Sequence, residues 1–210
     1  GTAQTLSTDL IDLAGGNVFL LVGMAALASF ILGMGLTITA CYLLLAVLLA
    51  PALVQLGFYD LAVHIFLIYT GVLSFITPPV AIGAYAAAAI AGANSMITAV
   101  QAVRLGAVKY IIPFFVIFEP ALILHGSFFD IFQAIGTAVI GVILLGSGIE
   151  GYLVFVGRLG ILARVCTLVG GFLIFKPGMT TNLIGALAVA SLFTVHFLWS
   201  KVFKRAVQDK

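Results

Sequence analysis

Two uncharged interruptions in long apolar runs are the places where this sequence could do chemistry. The first is Gly33-Met34-Gly35-Leu36-Thr37-Ile38-Thr39; the second is Thr77-Pro78-Pro79, with Ser74 just before it and Val80 just after. Gly33 and Gly35 permit unusual dihedrals and close approach, while Thr37, Thr39, Ser74 and Thr77 add hydroxyl oxygens. Two prolines remove two backbone donors and push the residue before each out of the helical region. Carbonyls at residues 73–76 are therefore expected to lose their partners, and amides at residues 80–82 to point freely from the positive end of a new helix. Carbonyls suit a small hard cation, and free amides suit an anionic group. Paired interrupted segments point to a transport site. The plainer alternative is that Gly and Thr only let membrane helices pack closely.

The remaining reactive side chains offer less. Glu119 falls near the middle of the apolar run 111–124, next to Pro120, an expensive place for a carboxylate. That position makes it a candidate for coupling, or a structural group bonded to backbone that Pro120 frees. His64, His125 and His196 have no carboxylate, thiol or second His at ligand spacing, and Cys41 and Cys166 sit in apolar runs as inert thiols. A phosphate loop, a nucleophile elbow and an intramembrane aspartate pair are all missing from the sequence. An enzyme is disfavoured.

The elements that must position these residues are membrane helices. Of 210 residues, 63% are hydrophobic and 8% charged, against about 25% charged in ordinary soluble domains. A formal charge of +2 is too small and dispersed for nucleic-acid binding. Around the first interruption the apolar arms are residues 17–32 and 40–49, and the second covers only about half of a ~30 Å hydrocarbon core. A simple span does not fit. Two short arms meeting at a Gly-rich turn predict a re-entrant hairpin, whose exposed backbone is tolerated only inside protein or beside an aqueous cavity. Residues 61–91 then form a discontinuous helix. Ser95 is expected to cap an amphipathic interfacial helix over 96–109, and spans are expected over 111–124, 130–145, 165–175 and 181–199. The organisation expected is an extramembrane approach segment (1–14), hairpin plus broken helix (15–92), interfacial helix plus span (93–126), further C-terminal helices (127–200) and a basic tail (201–210). The start carries no signal-peptide pattern, and the chain is read as the C-terminal part of a longer one. With the tail cytoplasmic, eight of the nine Lys and Arg fall inside and only Lys176 outside, so the hairpin enters from the outer face.

Gly33-Met34-Gly35-Leu36 through Ala50-Pro51-Ala52-Leu53, and Ile76-Thr77-Pro78-Pro79-Val80-Ala81 through Ala84-Tyr85 and Ile90-Ala91-Gly92, resemble a known family. It is the fused membrane component of tripartite ATP-independent periplasmic (TRAP) transporters, the TAXI-type 4TM/12TM permeases. The likeness continues through Arg104-Leu105-Gly106, Ile112-Pro113-Phe114 and Pro120-Ala121-Leu122 to Gly126. It implies an elevator-type secondary transporter of inverted repeats, driven by sodium as coupling ion, with no cofactor, and supplied by a periplasmic substrate-binding protein. This chain would hold the second repeat, and the N-terminal remainder of the permease, with the first repeat and the fused small subunit, would precede Gly1. Carried over, backbone at Gly33, Met34, Gly35, Leu36, Ser74, Thr77 and Pro78 would hold sodium, and Thr37, Thr39, Thr77, Pro79 and Val80 would meet substrate. Two departures stand out. The family commonly has Pro-Thr-Thr after Gly-Met-Gly-Leu, where this chain has Thr37-Ile38-Thr39, and often Asn-Pro where it has Glu119-Pro120.

The expectation is thus an all-α integral membrane protein of the bacterial or archaeal inner membrane, in contact with membrane lipid and importing an organic anion with sodium. Its rivals are an anion symporter without a binding protein and a structural membrane subunit that moves nothing.

Overall fold

In the computed structural model, the structure describes residues 2–154, 156–175 and 185. The expected span 181–199, Lys176, His196 and the basic tail lie outside the described residues, Gly185 excepted. The chain forms two compact units, Gly1–His125 and Gly126–Lys210.

The first unit begins with α1 (Thr2–Leu13) and then α2 (Val18–Gly35). Asn17 caps α2, its side chain accepting from the amides of Phe19 and Leu20 at 3.0 and 3.2 Å, which satisfies two donors that an apolar surrounding could not. Leu36 and Thr37 turn the chain back into α3 (Ile38–Leu48), so that Cys41 comes beside the Ser29 carbonyl. Pro51 falls in the first turn of α4 (Ala50–Gln55), where its missing N–H costs nothing. α5 (Asp60–Val72) continues as a 3₁₀ turn (Leu73–Ile76), the chain breaks, and α6 (Ile82–Ala91) follows.

The expectation that residues 17–32 make an arm too short to span is corrected. α2 runs straight through Gly33-Met34-Gly35 for 18 residues and is long and apolar enough to cross a membrane. The reason lies on its buried face, where Ala25, Ser29 and Gly33 recur every four residues and α2 packs along α5, Ser29 and Gly33 meeting Gly71. Small residues let the two backbones approach. A Cβ at Gly33 would stand 2.3 Å from the Gly71 carbonyl oxygen, so Gly33 serves packing rather than a flexible tip. Ser29 and Thr70 return their hydroxyl protons to Ala25 and Phe66 of their own helices, leaving neither hydroxyl as an open donor in the interface.

Asn94, not Ser95, caps α7 (Ser95–Leu105), its side chain accepting from the Ile97 amide at 3.0 Å. A 3₁₀ turn (Ala107–Tyr110) leads to α8 (Ile112–Phe118) and, past Glu119, a second one (Pro120–Ile123). The predicted continuous span 111–124 is therefore corrected. Pro120 ends α8 at Glu119, which sits half-buried between that helix and the turn that follows. α7 and the segment through α8 meet at 65°, a bent pair that reaches span length only when taken together. α8 lies along α5 through Phe114 on Phe66, and Phe118 meets Phe58.

In the second unit, α9 (Phe128–Glu150) is longer than the predicted 130–145 and also long and apolar enough to cross a membrane. Ser127 caps it, bonded to the Asp130 amide and carboxylate. A two-stranded antiparallel ribbon, β1 (Tyr152–Leu153) and β2 (Gly157–Arg158), turns the chain into α10 (Ile161–Phe175). Nothing in the sequence pattern predicts that ribbon. α10 begins before Arg164, not at Val165, and packs along α9 where Gly141, Gly148 and Gly171 leave no room for a Cβ.

Candidate functional site

The two interruptions meet. Ser74, fully buried in the 3₁₀ turn that ends α5, directs its hydroxyl at the Gly33 carbonyl in the last turn of α2, 2.8 Å away, and at Gly71 O, also 2.8 Å. The C-terminal ends of α2 and of the α5 segment, each carrying the negative end of a helix dipole, thus converge. Their continuations, α3 and α6, start after only two and five intervening residues.

The first break is narrower than Gly33 to Thr39. Met34 is half-buried and helical; Gly35 is helical and exposed, and a Cβ added to it would have nothing within 4 Å. Only Leu36 and Thr37 are extended, at φ −123° and −65°. Thr37 is the N-cap of α3, its Oγ1 accepting from the Ala40 amide at 3.4 Å. Ile38 opens that helix, and it and Thr39 are exposed.

At the second break Thr77 is extended, the Pro78–Pro79 bond is cis, and buried Ala81 takes a left-handed conformation at φ 34°. The expectation of partnerless carbonyls at residues 73–76 is corrected for two of them. Leu73 O accepts the Thr77 hydroxyl at 2.7 Å and Ser74 O accepts the Thr77 amide at 3.1 Å. The Ala81 amide, expected free, donates to Thr77 O at 3.0 Å. Pro79 is exposed, yet its carbonyl accepts the Tyr85 hydroxyl at 2.8 Å, and Pro78 and Val80 are half-buried. A proline-containing segment cannot satisfy itself by helical bonds, so side chains and short-range turns do it instead.

The sequence reading misses Tyr110, whose hydroxyl lies 2.5 Å from Thr77 Oγ1, and Tyr85. It also misses a hydrogen-bonded chain at the start of α5, where the Tyr42 hydroxyl meets His64 Nδ1 at 3.2 Å and His64 Nε2 faces Asp60 at 3.5 Å. His125 stacks on Tyr59 with ring centroids 4.0 Å apart. Among the described residues no group of three or more His, Cys, Asp or Glu gathers as a metal site. Glu119 closes α8, its amide donating to Phe115 O at 2.9 Å, and belongs to that helix end rather than to either break.

These features define a class: a helical membrane protein in which interrupted helices bring polar backbone ends together inside an apolar bundle. Residues 1–131 match the family model described as Tripartite ATP-independent periplasmic transporter, DctM component. With more than half its length matched, the chain belongs to that family, a family of transporters whose members work with a periplasmic binding protein. No curated protein and no solved structure matches it.

Proposed function

We propose that the chain is part of a permease that imports an organic anion, a carboxylate, by sodium-coupled alternating access across the inner membrane, with a periplasmic protein delivering the substrate. What supports this reading, beyond family membership, is the Ser74–Gly33 contact. It sets two helix C-termini side by side, and two such ends in an apolar bundle favour a small cation. The carbonyls of Met34, Gly35 and Leu36, with Thr77 Oγ1 and Pro78 O, are the oxygens we assign to sodium, while Gly33 O is already engaged by Ser74. The N-terminal ends of α3 and α6, with Thr37, Thr39, Pro79 and Val80 near them, are where we place the substrate carboxylate. On this reading α2 and α3 would move with α5 and α6 as one element.

The test is uptake of labelled carboxylates into proteoliposomes holding the intact permease. Transport should require both the purified binding protein and an inward sodium gradient. Equal uptake with potassium in place of sodium would remove the coupling ion from the scheme, and uptake without the binding protein would favour the symporter rival.

A further inference from the structure

Thr77 has one hydroxyl proton, and the geometry gives it to Leu73 O, 2.7 Å away. The 2.5 Å contact between Thr77 Oγ1 and the Tyr110 hydroxyl must then be donated by Tyr110. A relay results: Tyr110 Oη to Thr77 Oγ1 to Leu73 O. It joins the broken helix to the 3₁₀ turn that follows α7, across 33 residues of sequence. Gly106 lies against the end of the Ile76 side chain beside this turn, where an added Cβ would stand 2.9 Å from Ile76 Cδ1. Tyr85, holding Pro79 O at 2.8 Å, braces the other side of the same non-helical segment.

The relay fixes what Thr77 can offer. A hydroxyl oxygen has two lone pairs; one accepts from Tyr110, and its proton is committed to Leu73, so a single lone pair remains in a set direction. Without Tyr110 the oxygen would keep both lone pairs and lose the contact that orients it. We propose that Tyr110 is a positioning residue for the cation at the break, acting through Thr77 rather than touching the ion. This rests on the sodium reading above and goes beyond it by adding a residue outside both interruptions.

The experiment is a double-mutant cycle on sodium dependence, using the intact permease with its binding protein in proteoliposomes. Tyr110→Phe should raise the sodium concentration for half-maximal uptake about five- to tenfold, the size of one hydrogen bond, while the maximal rate stays within about twofold. Thr77→Val should raise it too, and adding Tyr110→Phe to Thr77→Val should add nothing. Fully additive effects, or a Tyr110→Phe permease with wild-type half-saturation, would overturn the proposal while leaving sodium coupling in place. A wild-type permease indifferent to sodium would instead overturn the coupling reading, and that is seen before any variant is made. If Tyr110→Phe does not yield folded protein, Thr77→Val compared with Thr77→Ser reads the same oxygen: Val must raise half-saturation more than Ser, and equal values would overturn the relay.

Discussion

Ser74 Oγ lies 2.8 Å from the carbonyl oxygen of Gly33, a residue 41 positions earlier in the chain. The contact forms because Gly33 has no side chain. α2 comes down on Gly71 closely enough that the Gly33 carbonyl reaches the serine at the foot of α5. One glycine thus sets both the helix spacing and the meeting of the two interruptions.

Gly33 and Gly35 should accordingly respond in opposite ways to the same change. At Gly33 an added Cβ meets Gly71 backbone, not a flexible side chain, so Gly33→Ala is expected to destabilise by about 1–3 kcal/mol. At Gly35 the added methyl meets open space in a helical turn, and Gly35→Ala is expected to be neutral or to stabilise by up to about 1 kcal/mol. Thermal unfolding of the purified permease compares the two, and equal effects would show that the α2–α5 approach is looser than a 2.3 Å Cβ clash requires.

Ser74→Ala removes a side-chain donor shared by two buried carbonyls, Gly33 O and Gly71 O. The expected loss is about 1 kcal/mol, since Gly71 O keeps a backbone partner in the Leu73 amide. Ser74→Cys, a weaker donor of similar shape, should fall between. Thermal unfolding that ranks Ala at or above wild type would mean the contact contributes nothing.

Ala81 is buried at φ 34°, a region in which a Cβ crowds the backbone. Ala81→Gly removes that crowding and is expected to stabilise by up to about 1 kcal/mol, offset in part by the greater freedom of glycine in the unfolded chain. Ala81→Val should destabilise strongly, because a β-branched residue there is both strained and overpacked. The order Gly, Ala, Val in unfolding temperature is the check, and Val matching Ala would contradict the assigned conformation.

How much of this is legible in the sequence follows from the range of the forces involved. The break at Thr77-Pro78-Pro79 is readable because proline lacks an N–H wherever it stands, a local fact needing no partner. The glycines of the first interruption are not, because close packing and flexible turning leave the same residue in the sequence. Only Gly71, 38 positions on, distinguishes them at Gly33. Satisfaction of the Leu73 and Ser74 carbonyls escapes the local rule, which removes helical partners without counting the Thr77 side chain and amide. Tyr110 gives no signal, being one aromatic residue among many whose hydroxyl matters only through a contact 33 residues away. At the start of α7, Asn94 and Ser95 are both good caps, and pattern alone does not choose between neighbours.

Arg164 counts in the sequence only as a charge that helps orient the chain, yet its guanidinium closes a helix end. Nε donates to Gly148 O at 3.0 Å and Nη2 to Ile149 O at 2.5 Å, two carbonyls in the last turn of α9. The positive fork there answers both the open acceptors and the negative end of the dipole. Arg164→Met keeps the stem and removes the fork, with an expected cost of about 1–2 kcal/mol. Arg164→Lys should recover part of that, since an ammonium retains the charge but cannot span two carbonyls in one plane. Amide hydrogen exchange supplies a readout that global stability does not. The amides of Ile149, Glu150 and Gly151 should lose protection in Arg164→Met and regain some in Arg164→Lys, and unchanged protection in both would mean that α9 ends without help from α10.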